Sequence, residues 1–133
     1  MEAILPAAPS SLSRARSMLG AFRDAPDELV QNAKLVLTEL LANEIKHGRY
    51  PPGESLVCRV ERNKRALRLE VSHKGPDFSM PATAVHPSLR MRETGWGLSL
   101  ITNLCDRWGM RNRKGDRLVW AEIDMPGPTS AIR

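Results

Sequence analysis

Aromatic side chains are scarce here: three Trp, two Phe and one Tyr among 133 residues. A protein that reads nucleic acid by stacking bases needs aromatics interleaved with its basic residues, and no such alternation occurs. Cysteine is equally sparse. Cys58 and Cys105 fit no metal-ligand spacing, and buried free thiols are expected rather than a disulfide. The three histidines, His47, His73 and His86, form no HxxxH pair, which argues against a catalytic metal enzyme. Apolar runs are too short to cross a bilayer. The opening Met1-Glu2-Ala3-Ile4-Leu5-Pro6 lacks the basic start and apolar stretch of a signal peptide. A cytoplasmic protein with no membrane partner is expected.

What is present is an ordinary globular mixture, 41% hydrophobic and 26% charged. The length predicts one domain over 1–133, with a frayed tail from Pro126 to Arg133. A net charge of +5 favours an anionic partner. Between Arg90 and Arg117 seven basic residues stand against three acids, which leaves open a basic nucleic-acid-binding module. No recognition-helix motif supports that alternative, and nucleic acid is not the expected partner.

The periodicity predicts a short strand at Ala3–Leu5 and a helix, capped by Ser10 or Ser11, running to about Arg23 with Leu12, Ala15, Leu19 and Phe22 on one stripe. Pro26 closes the turn, and Asp27 is expected to cap a longer helix over 28–47. Its apolar stripe is Leu29, Ala33, Val36, Leu37, Leu40 and Leu41. Gly48 is expected just past that helix, at the left-handed C′ position, before Pro51-Pro52-Gly53. Alternation over 56–61 and 66–72 then predicts a hairpin turning at Asn63-Lys64.

The irregular stretch from Gly75 to Thr94, with three prolines, reads as a functional loop. After it, Gly95-Trp96-Gly97 opens a short helix expected to turn Leu98, Ile101, Cys105 and Trp108 inward and to end at Gly109. A last hairpin, 110–113 and 117–124, turns at Lys114-Gly115-Asp116. Its second strand is apolar on both faces, which suits either a central strand or one covered by a second copy of the chain. Helices and hairpins without βαβ alternation predict an α+β two-layer sandwich, with helices on one face of a mainly antiparallel sheet.

Three features bear on chemistry. Glu39, Asn43 and His47 follow at i, i+4 and i+8 on the long helix, with Lys46 beside them. A carboxylate and a carboxamide one turn apart form a compact oxygen set suited to hydrated Mg²⁺. Thr94-Gly95-Trp96-Gly97-Leu98 lets backbone N–H groups approach a phosphate at a helix start. His73 and Gly75 leave a strand at a sharp turn.

In this order the three features resemble the GHKL, histidine-kinase-like ATPase superfamily, best its small anti-sigma-factor serine kinases. Thr38-Glu39-Leu40-Leu41-Ala42-Asn43-Glu44-Ile45-Lys46-His47-Gly48 is similar to that family's N box. Gly95-Trp96-Gly97-Leu98, with Asp106-Arg107-Trp108-Gly109, is similar to its G2 region. The resemblance implies a Bergerat-type ATP-binding fold, with Asn43 ligating Mg²⁺ and Glu39 as the general base for a serine hydroxyl. It further implies Lys46 and His47 near phosphate or ribose, with His73, Gly75, Thr94, Gly95, Gly97 and Leu98 around ATP and 76–94 as a lid. Partners implied are a sigma factor and an anti-anti-sigma protein; a homodimer stays open.

The chain departs from the pattern at the base pocket. The family's adenine-binding aspartate is replaced by His73, and the small alanine after the N-box asparagine by Glu44. An unmet buried polar contact there costs about 1–3 kcal/mol, roughly ten- to a hundredfold in affinity. Glu44 facing His73, and supplying the missing carboxylate, is one expectation. A degenerate member that binds its partner without turning over ATP is the other.

Overall fold

The structure, a computed structural model, describes residues 1–74, 98–113 and 116–126. They form β1 (Glu2–Pro6), α1 (Ser11–Met18) continued by a 3₁₀ turn at Leu19–Ala21, α2 (Asp27–His47), β2 (Ser55–Arg62) and β3 (Ala66–Lys74). After residue 97 come α3 (Leu98–Leu104), β4 (Arg107–Arg113) and β5 (Asp116–Asp124). The strands make one sheet in the order β1-β2-β3-β5-β4, each neighbouring pair antiparallel. Helices pack against this antiparallel sheet, as the patterning predicts. Among the described residues no helix is long and apolar enough to cross a membrane.

Period-two alternation puts Leu56, Cys58 and Val60 of β2, Leu67, Leu69 and Val71 of β3, and Val119, Ala121 and Ile123 of β5 into the core. The stripe of α2 meets them with Ala33, Val36, Leu37, Leu40 and Leu41, all buried. Each buried leucine contributes roughly 1.5–3 kcal/mol, so the register of α2 on the sheet is firmly set. Cys58 and Cys105 are free thiols; burial pushes both up to about 11, Cys58 wholly so and Cys105 with help from Asp106.

On the other face charges pair along the sheet. Arg68 bonds Glu70 and Glu122, and Arg107 bonds Glu122 and Asp124. The Arg68 guanidinium also lies 4.6 Å from the centre of the Trp120 ring. β5 is therefore an interior strand, buried on its Arg117, Val119, Ala121, Ile123 side and half-buried on its Leu118, Trp120, Glu122 side.

Four local expectations are corrected. α1 ends at Met18 and tightens into the 3₁₀ turn rather than reaching Arg23, because Gly20 weakens the helix and Phe22 leaves it at ψ 61°. Of the two serines expected to cap α1, Ser10 takes the N-cap position but makes no side-chain cap hydrogen bond, and Ser11 is the first helical residue, its hydroxyl donating back to the Pro6 carbonyl at 2.6 Å and tying the helix to β1. Pro26 is the N-cap of α2, and Asp27 its first residue. Trp108 and Gly109 belong to β4, not to the preceding helix. The Asp106 N–H donates to the Glu122 carbonyl at 2.8 Å, so the chain docks onto β5 before another turn can form.

The end of α2 is a fifth correction. Gly48 keeps a right-handed φ of −71°, and Arg49 takes the left-handed position at φ 54°. Glycine is needed at 48 for space instead: a Cβ there would collide with the Tyr50 ring and with the Glu44 carbonyl. A left-handed non-glycine residue costs about 1–2 kcal/mol. Arg49→Gly is therefore expected to stabilise the fold by about 0.5–1 kcal/mol net of glycine's entropy. A higher urea midpoint at unchanged slope would register it.

Candidate functional site

The buried stripe of α2 runs on past its leucines. Leu37, Leu40 and Leu41 are followed in phase by Glu44, 2% exposed, with Asn43 beside it at 8%. A carboxylate in that position must be neutralised. The neutralising group sits on the apolar side of β5: Arg117 is in phase with Val119, Ala121 and Ile123 and is 7% exposed. Its Nε donates to both Glu44 oxygens, at 2.6 and 2.8 Å.

Three more side chains extend this pair. The Tyr50 hydroxyl donates to Glu44 Oε2 at 3.1 Å. Burial first, and then the Glu44 charge, push the Tyr50 phenol well above its ordinary range, so it stays a donor. The Tyr50 ring lies 4.5 Å from the His73 imidazole, centre to centre, at 37°. His73 Nε2 in turn is 2.9 Å from Glu54 Oε1. His73 and Arg117 are register partners across β3 and β5. The result is one polar network from the sheet through α2 to the surface, where Glu54 is about one-third exposed.

Glu39 is half-exposed on α2, one turn before Asn43. Lys46 is exposed and His47 half-exposed. Burial, then Lys46 and Arg117, hold the His47 imidazole below its ordinary value. Leu98 opens α3, which packs on α2. Gly75, Thr94, Gly95 and Gly97, with the 76–94 lid, the 114–115 turn and the tail beyond 126, lie outside the described residues.

The model of the histidine kinase-like ATPase domain matches residues 5–123. The chain belongs to this family. Among solved structures, this ATPase-family chain is similar to the Acinetobacter baumannii histidine kinase AdeS. The TM-score is 0.51 at 18% identity, over 96% of this chain and 68% of that one; at such identity the likeness concerns the fold. Among curated proteins no relative matches.

Family membership gives the network its interest, since α2 carries the N-box-like segment. No motif in the sequence marks Tyr50, Glu54 or Arg117 as a site residue. Arg117 alone had a usable signal, its phase with the apolar positions of β5. Of the basic run from Arg90 to Arg117, Arg107 is paired with acids and Arg117 is buried on Glu44. That reduces the charge this run could offer to a nucleic acid backbone.

Proposed function

We propose that this histidine kinase-like ATPase domain is an anti-sigma regulatory protein of the cytoplasm. It binds a sigma factor and holds Mg²⁺-ATP beside the C-terminal half of α2. It also phosphorylates a serine on an anti-anti-sigma partner. The observation that carries the reading is Asn43. A carboxamide 8% exposed, one turn from the half-exposed Glu39, suits a cation that keeps its waters and takes most other ligands from phosphates. Among the described residues no three His, Cys, Asp or Glu side chains converge as a cage, and Mg²⁺ with a nucleotide needs none.

In this reading Asn43 holds Mg²⁺ through its carboxamide oxygen, and Lys46 and His47 flank the phosphates or ribose. The bound ion would neutralise charge on the phosphate oxygens. Glu39 accepts the proton of the attacking serine hydroxyl as its oxygen bonds the γ-phosphorus and the bridge to the β-phosphate breaks, releasing ADP. Positioning does most of the work.

Calorimetric titration with Mg²⁺-ATP and Mg²⁺-ADP tests this. Asn43→Ala is expected to weaken binding roughly ten- to a hundredfold, as loss of a bond to a charged group implies. Equal affinity in the two proteins would overturn the role of Asn43. The Glu44–Arg117–Tyr50 network favours a second reading, a regulator that binds its protein partner without ATP turnover. Absence of heat with either nucleotide, in a folded chain, is the result that reading expects.

A further inference from the structure

We propose that Tyr50 is a built-in occupant of the nucleobase site. Its ring holds the place between Glu44 and His73 that a base carrying an exocyclic amino group would take, and a nucleotide binds fully only once this side chain leaves. The inference rests on the nucleotide-binding reading above and names the feature that gates it.

The contacts of Tyr50 are those a base would make. A flat ring lies 4.5 Å from an imidazole, and a donor on that ring reaches a carboxylate oxygen at 3.1 Å. Arg117 fixes that carboxylate through both of its oxygens, so it presents the same acceptor whether a phenol or an amino group approaches. Beneath the ring is Gly48, where any Cβ would collide with it. Bare backbone against a planar group is what glycine allows near a ligand.

The tether suits displacement. Arg49 stands at a left-handed φ of 54°, the conformation that folds Tyr50 back over the helix end. Return of Arg49 to the right-handed or extended region would release the strain as the ring swings away. Pro51 restricts Tyr50 to extended backbone, so the movement falls on Arg49. Tyr50 is only partly buried, whereas Glu44 and His73 are 2% and 3% exposed. The occupant is the one member of the trio with a way out.

The chemistry also sets the class of base. An amino group donates to the Glu44 carboxylate as the phenol does. A base with a carbonyl at that position would set oxygen against carboxylate. Adenine nucleotides are therefore expected to bind better than hypoxanthine ones.

Tyr50 is the only tyrosine in the chain, so ring-labelled tyrosine gives one set of NMR signals with no assignment problem. In the wild-type protein, Tyr50–His73 cross-peaks are expected to vanish on saturation with Mg²⁺-ATP and to persist with Mg²⁺-tripolyphosphate. Calorimetry on Tyr50→Ala should show ATP binding at least about tenfold tighter than in wild type, the factor by which a mostly closed site lowers apparent affinity. Tripolyphosphate binding should be unchanged, and ITP weaker than ATP. Cross-peaks that survive bound ATP, or ATP affinity unaltered in Tyr50→Ala, would overturn the proposal and leave the nucleotide reading standing. Binding of neither ATP nor tripolyphosphate by folded wild type and variant would overturn both.

Discussion

Arg117→Met is expected to lower stability by about 3–5 kcal/mol, the cost of leaving one member of a buried ion pair behind. The Arg117 and Glu44 side chains are 8% and 3% exposed and span 73 residues of sequence. Without the guanidinium the Glu44 carboxylate keeps the Tyr50 hydroxyl, one neutral donor against a full charge. Removing both charges is expected to recover most of the loss. Glu44→Leu with Arg117→Met puts apolar groups in phase with Leu40 and Leu41 on one side and Val119 and Ala121 on the other, and such exchanges are often neutral. Urea denaturation of the wild type, both single variants and the double variant closes the cycle. A single-variant cost below about 1 kcal/mol, the range of an exposed pair, would mean that the pair is solvated in solution.

This pair also marks where the sequence stops being legible. The leucine stripe of α2 and the alternation of β2, β3 and β5 are local periodicities, and each element formed where its period predicts it. Glu44 and His73 stood out as departures from a family pattern. Their partners did not, because Arg117 meets Glu44 only through the stacking of α2 on the sheet, Tyr50 only through the left-handed turn at Arg49, and Glu54 reaches His73 only across 19 residues of chain. Tertiary context also reassigned residues whose local rule was sound. Ser11 is a good cap by type, yet the Pro6 carbonyl takes its hydroxyl. Gly109 is a good helix stop, yet it serves as a strand residue under Trp120, whose indole would meet a Cβ there at 2.9 Å. Gly48 is a good left-handed C′ residue, yet it is right-handed and kept small by an aromatic neighbour.

That last reassignment carries a second large effect. Gly48→Ala is expected to destabilise the protein by about 1–3 kcal/mol, the usual cost of forcing a methyl group into filled space. A left-handed C′ glycine would make the same exchange costly through backbone strain alone. Here φ is −71°, which alanine adopts freely, so the loss arises from collision with the Tyr50 ring and the Glu44 carbonyl. The carbonyl is fixed by the Gly48 N–H, which donates to it at 2.8 Å, whereas the ring can leave. A double-mutant cycle with Tyr50→Ala therefore separates the two. Coupling of about 0.5–3 kcal/mol is expected for residues in contact, with Gly48→Ala costing less once the ring is gone. Strict additivity would place the whole cost on the carbonyl and remove the ring from the account of why glycine stands at the end of α2.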